Sequence, residues 1–191
     1  MSFTKKYFKG LATALEAMPE DSIDTLFSWM KDAYQAENQI LVMGNGGSAA
    51  TASHFVCDIN KGVSMNLKKK FRMIAINDNQ PTLTAYANDV SYDEVFSRTI
   101  ENFLRPGDLV IGISTSGNSK NVLRAFELAK ARGHRTVAFT SRPGGKLLKL
   151  ADCSVVVPTE DIQLAEDLHH SLCHMLMRRL CDDLGVEPSG K

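Results

Sequence analysis

The chain has 191 residues, and its 22 Lys and Arg balance 22 Asp and Glu. That length buries one full core without disulfide or metal staples, and the charge balance gives no general reason to expect nucleic acid. Cys57, Cys153, Cys173 and Cys181 form no CxxC, so free thiols are expected rather than a disulfide framework.

Residues 3–17 carry Phe3, Tyr7, Phe8, Leu11 and Leu15 on one stripe, which predicts a helix that Pro19 ends. A second helix is predicted from Asp21 or Ser22 to about Glu37, with Ile23, Leu26, Phe27 and Met30 inward. This helical pair, residues 1–36, precedes any strand, and its apolar stripes need a partner, either a sheet layer or another subunit. QILVM (39–43) reads as a strand that stops at GNGGS (44–48), with a helix from TASHFVCDI after it. FRMIAI (71–76) is the second strand, followed by helices over 81–86 and 92–104. DLVIGI (108–113) ends at STSGNS (114–119), and Asn121 to Ala131 is a helix closed by Gly133. HRTVAFT (134–140), a short helix at 146–151 and SVVVP (154–158) follow, then a last helix from about 162 to 182. The main domain spans 37–183, and a loose tail is expected over 184–191.

The strands are apolar throughout and alternate with helices. This is the pattern of a parallel sheet covered on both faces, so the fold class is a three-layer α/β sandwich. No stretch approaches the ~18 apolar residues of a membrane span. The first residues show no signal-peptide pattern, and a cytoplasmic protein is expected.

Two strand ends carry small, hydroxyl-rich loops: Gly44, Asn45, Gly46, Gly47 and Ser48, then Ser114, Thr115, Ser116, Gly117, Asn118 and Ser119. Glycines let backbone N–H groups approach a ligand, and each loop feeds a helix N-terminus that favours an anion. Neither loop is a Walker A motif. The alternative for one loop is a tight turn with a helix cap; two at strand ends favour a bound phosphate, held by Ser48, Ser114, Ser116 and Ser119.

The ionisable residues fall on two helix faces. His54 and Asp58 are four residues apart, and Glu166, His170 and His174 form a ladder of the same spacing. Such groups hold zinc or move protons; the alternative is a surface polar pair for the first set, and a solvated face or a core histidine at a subunit seam for the second. Asn88 and Asp89 read as a turn. Arg98 and Arg124 read as ion-paired surface, and Lys68, Lys69 and Lys70 as a solvated strand approach.

GNGGSAATASHF, AYANDVSYDEVFSR and GDLVIGISTSGNSKNVLRAFELAK together resemble the sugar isomerase (SIS) domain family, of the phosphoheptose isomerase type. The resemblance covers nearly the whole chain. It implies a five-stranded parallel, flavodoxin-like sheet and a homotetramer with active sites at subunit seams. It also implies isomerisation of sedoheptulose 7-phosphate to D-glycero-D-manno-heptose 7-phosphate, through an enediol, for heptose precursors of lipopolysaccharide or capsule. Another ketose phosphate is one alternative. A non-enzymatic branch that binds a replication-initiator protein is the other.

The family's substrate contacts fall on Asn45, Gly46, Gly47, Asn88, Asp89, Ser114, Thr115, Ser116, Ser119 and Glu166. Its zinc ligands fall on His54, Asp58, Glu166 and His174. Asp58 is the candidate base and His174 the candidate acid, with Glu166 as the alternative base. Asp58 and Glu166 stand where the family usually has Glu and Gln. His170 is additional to the family's set, one turn from both neighbours.

Overall fold

A computed structural model of the chain describes residues 1–188. Helices α1 (Phe3–Glu16) and α2 (Glu20–Gln35) precede β1 (Gln39–Gly44) and α3 (Gly47–Cys57). A π-helical segment (Asp58–Val63) and a 3-10 turn (Ser64–Asn66) lead to β2 (Arg72–Ala75). Next come α4 (Gln80–Asp89), a 3-10 turn (Tyr92–Glu94), α5 (Val95–Glu101), β3 (Leu109–Ile113) and α6 (Lys120–Ala131). The chain continues through β4 (Arg135–Ser141), α7 (Leu147–Leu150), β5 (Cys153–Val157) and α8 (Ile162–Leu184). Of the tail expected over 184–191, Leu184 closes α8 and Val186 packs against the core, while residues 189–191 lie outside the described residues.

Local chemistry sets the helix ends. Asp161 caps α8 by accepting the Leu164 N–H at 3.1 Å. Asn79 caps α4 by accepting the Thr82 N–H at 3.1 Å. The helix expected from Thr51 begins earlier, at Gly47, because Gly46 at φ +54 turns the chain at once out of β1. Asn88 and Asp89, expected as a turn, are the last residues of α4; the helix breaks one residue later, at Val90. Gly133 at φ +78 ends α6: its N–H reaches the Lys130 carbonyl and that of His134 reaches Ala129.

The five strands are parallel, in the order β2-β1-β3-β4-β5. Alternate side chains serve opposite cores. Ile40 and Val42 of β1 pack with Leu26, Met30, Phe55 and Leu176 from α2, α3 and α8. Leu41 and Met43 pack with Phe96, Val122 and Phe126 from α5 and α6. Both faces are covered, which is why the strands read as continuous apolar runs. At Gly112 in β3, a Cβ would stand 2.5 Å from Phe126 and 2.6 Å from Val122, so the missing side chain lets α6 approach the sheet. Among the described residues no helix is long and apolar enough to cross a membrane.

The winding reverses between β1 and β3. After β1 the chain moves outward to β2, then returns across the other face to β3 on the opposite side of β1. The loops after β1 and β3 therefore diverge and open a crevice at the carboxyl end of the sheet.

One buried ionisable group bears on stability. His169 of α8 is 1% exposed. Its Nε2 lies 3.3 Å from the Thr140 carbonyl, and its Nδ1 is buried without a partner. Burial pushes its pKa down to about 4. The unfolded chain takes up a proton below about 6.5 that the folded chain refuses, so stability falls as pH drops from 6.5 toward 4. Urea unfolding at pH 7 and pH 5 should show this loss, on the order of 2 kcal/mol, in the wild type and not in His169→Gln. An equal loss in both proteins refutes the assignment.

Candidate active site

The crevice is built from the two hydroxyl-rich loops. Asn45 ties them together: its side-chain amide exchanges hydrogen bonds with that of Asn121 at the start of α6, both at 2.9 Å. Tyr92 donates to Asn45 Oδ1 at 2.8 Å. Asn121 is 2% exposed, so its amide is fully committed to holding the first loop against α6. Sequence reasoning missed Asn121 and Tyr92. The signal available was a polar residue inside the otherwise apolar buried stripe of α6.

In the second loop Ser114 and Ser119 hydroxyls are 2.9 Å apart. Ser116 is exposed, and its Oγ accepts the Asn118 N–H at 3.2 Å. Gly117 has φ +62, and a Cβ there would fall 2.1 Å from the Gly144 carbonyl, so the loop lies flat on the β4–α7 connection. Ser141 donates to the Thr115 carbonyl at 2.8 Å, which fixes the loop from below. Ser48 is buried, with its backbone and Cβ against Gly44. A cleft of about 330 Å³ opens beside the first loop, lined in part by Asn45, Gly46, Asn77, Thr84 and Tyr92. Asn88 and Asp89 are exposed beyond it, with the Asn88 amide donating to Asp89 at 2.8 Å.

A second centre lies along the seam of α3 and α8. These helices run side by side in one direction, pairing Gly47 with Glu166 and His54 with His174. The Nε2 atoms of His54 and His174 are 2.9 Å apart. The His170 ring stacks on His54 at 4.4 Å between centroids and meets His174 edge-on at 4.7 Å. Among the described residues, one ring nitrogen from each of His54, His170 and His174 lies within 4.8 Å of the others. Asp58 Oδ2 is 3.2 Å from His54 Nε2 and 3.7 Å from His174 Nε2. It is buried and accepts no hydrogen bond. Burial, then the neighbouring imidazoles, hold the His170 pKa below its ordinary value. Imidazole lone pairs around an unsatisfied carboxylate oxygen are the donor set of a zinc-type cation, and the residues present fit one.

Glu166 is elsewhere. A Cβ on Gly47 would stand 2.5 and 2.6 Å from its two carboxylate oxygens, so this side chain covers the glycine loop. Of the other residues weighed, Arg98 pairs with Glu101 at 3.7 Å, and Arg124 with Glu127 at 2.9 Å and Glu94 at 3.6 Å. Lys69 and Lys70 donate to the backbone carbonyls of Gln35 and Ser64.

Residues 5–141 match the SIS domain family. The chain belongs to that family. It is 41% identical over 172 residues to a probable phosphoheptose isomerase of Thermoplasma acidophilum, covering 90% of this chain and 94% of that one. It is 40% identical to the phosphoheptose isomerase of Geobacter sp. (strain M21), covering 88% and 89%. The structure of phosphoheptose isomerase from Neisseria gonorrhoeae superposes with a TM-score of 0.86 at 29% identity, over 94% of this chain and 97% of that one. The family match spans both loops and α3, and the structural likeness, over 94% of the chain, extends into α8.

The exposed hydroxyl at Ser116 makes the loop testable. It accepts from Asn118 and keeps its own proton for an incoming anion. Losing one charged hydrogen bond costs ~1.5–3 kcal/mol. Ser116→Ala should therefore weaken sugar-phosphate binding roughly tenfold or more by calorimetry. Unchanged affinity would remove Ser116 from the phosphate site.

Proposed function

We propose that this chain is a ketose–aldose isomerase that interconverts sedoheptulose 7-phosphate and D-glycero-D-manno-heptose 7-phosphate, supplying heptose precursors for lipopolysaccharide or capsule. The observation that carries the reading is the pairing of a phosphate-suited serine loop with a carboxylate–imidazole seam in one chain. The relatives named as phosphoheptose isomerases over about nine-tenths of the chain support it.

The two centres divide the substrate. Ser48, Ser114, Thr115, Ser116 and Ser119 take the phosphate at the strand ends. Asn45, Gly46, Gly47 and Glu166 meet the hydroxyls along the sugar, with Asn88 and Asp89 at the rim. From Gly47 to His54 is seven residues of helix, about 10 Å of axis, a distance that an extended seven-carbon chain bridges. Phosphate binding there orients C1 and C2 at the far end, where binding energy becomes rate.

At that end Asp58 removes a proton from C1; the C–H electrons form the C1=C2 bond as the C2=O π pair moves onto O2, giving the enediolate. Asp58 returns the proton to C2, while the hydroxyl proton passes from O1 to the adjacent O2. His174 donates a hydrogen bond to the oxygen on which charge develops. A zinc ion held at the seam by the imidazoles of His54 and His174 beside Asp58 would supply Lewis-acid polarisation of the carbonyl; Glu166, a further ligand in the set that the family suggests, lies over Gly47 instead. We place the protein in the cytoplasm, where its four free cysteines remain reduced.

Purified protein supplied with zinc should form aldose from sedoheptulose 7-phosphate in a panel of C5 to C7 ketose phosphates. Asp58→Asn should lower turnover by at least ~10²-fold. Wild-type turnover in Asp58→Asn would refute Asp58 as the base, and inactivity of the wild type on every ketose would refute the isomerase reading.

We further propose a homotetramer built on α1 and α2. Phe3, Phe8 and Leu15 are 82%, 62% and 42% exposed along α1, an apolar stripe that this chain alone leaves in water. Sedimentation at micromolar concentration should give one species near four times 21.0 kDa. A clean monomer would contradict the assembly.

A further inference from the structure

We infer that this chain grips its divalent metal with three imidazoles, His54, His170 and His174, and that Glu166 is not a ligand. The inference rests on the metal reading of the α3–α8 seam and not on the identity of the sugar. It changes the ligand set: two carboxylates leave and one imidazole enters, with Asp58 facing the ion without ligating it.

Glu166 is excluded by where its helix carries it. It precedes His174 by eight residues, about 12 Å along α8. Its carboxylate is already seated over Gly47, a position open only because that residue has no Cβ.

His170 takes its place. It follows Glu166 by one turn and precedes His174 by one turn, so it shares their face. Its ring lies flat against His54 and edge-on to His174, and one nitrogen from each ring falls within 4.8 Å of the other two. Around a tetrahedral zinc with Zn–N near 2.0–2.1 Å, ligand nitrogens stand about 3.3 Å apart. The 2.9 Å between His54 and His174 is a little short of that, and the third ring closes the remaining gap by turning. Both His54 and His174 are partly open to water, with 41% and 55% of their side-chain surface exposed, so rotation displaces no core.

Asp58 completes the electrostatics. Its Oδ2 sits 3.2 and 3.7 Å from two of the same nitrogens, buried and without a hydrogen bond. A sealed carboxylate oxygen facing imidazole lone pairs is stabilised by a cation between them. Three nitrogen ligands also leave one coordination position open, the arrangement of a catalytic rather than a structural zinc. Glu166 is then free to meet the sugar at the glycine loop.

Zinc affinity of the full chain, measured by competition with a chromophoric chelator, tests the ligand set directly. The visible spectrum of the cobalt(II)-loaded chain gives a second reading without any sugar. The wild type should bind one ion per chain. His170→Ala should weaken zinc by at least the 10–100-fold that loss of an outer-shell partner costs, and should alter the cobalt spectrum. Glu166→Ala should leave both unchanged. His170→Gln, which keeps the bulk of the ring, repeats the test if His170→Ala melts early as apoprotein. Loss of metal in Glu166→Ala with none in the His170 variants overturns the proposal. A wild-type chain that binds neither ion overturns it together with the metal reading, while the ketose panel reports separately on the isomerase.

Discussion

Two helices that leave different strands, α3 after β1 and α8 after β5, lie side by side and point the same way. Their parallel course follows from the parallel sheet, since each helix reverses the direction of the strand before it. Their close approach rests on residues without side-chain bulk. Gly47 admits the Glu166 carboxylate, and a Cβ at Gly62 would stand 2.6 Å from the Met177 methyl. Between these two contacts the seam presents His54, Asp58, His170 and His174 to one another. A Cβ at either glycine would first displace the end of a flexible side chain, the Glu166 carboxylate at Gly47 or the Met177 methyl at Gly62.

The strand order supplies the second centre. Because β1 and β3 are neighbours whose connections leave in opposite directions, their loops share a crevice and not a wall. The reciprocal amide pair of Asn45 and Asn121 then fixes the separation of the loops. A buried amide that loses its partner costs about 1–3 kcal/mol, so the pair is held in one geometry. Around it Ser116 is exposed and Ser119 half-buried, while Ser48 and Ser114 are buried beneath them. Rigid backbone below and free hydroxyls above is the arrangement that orients a flexible sugar.

The seam is less constrained than the crevice. Asp58 sits where α3 widens into a π-helical segment, a local irregularity that recurs at functional sites. Its orphaned oxygen and the crowding of three imidazoles are each unfavourable alone. Together they form a group of side chains that a shared cation would stabilise. His169, one residue away, faces the opposite side and is buried under β4, so α8 separates a structural imidazole from the exposed ones by a single step of helix rotation.

Much of this was legible in the sequence, and for identifiable reasons. Apolar runs such as QILVM and DLVIGI alternating with helices determined a covered parallel sheet, because only strands buried on both faces dispense with polar alternation. Glycine and serine at the ends of β1 and β3 located the crevice, since close backbone approach requires those residues. The four-residue spacing placed His54 with Asp58, and Glu166 with His170 and His174, on common faces. What the spacing could not determine was which residue each face meets. That depends on the register of α3 against α8, a packing outcome between segments about 110 residues apart. Only the tertiary structure decided that Glu166 lies over Gly47, that His170 joins the imidazoles, and that Asn121 reaches Asn45. Periodicity fixes a side chain's direction around its own helix axis, while its partner is fixed by the height at which a second helix docks.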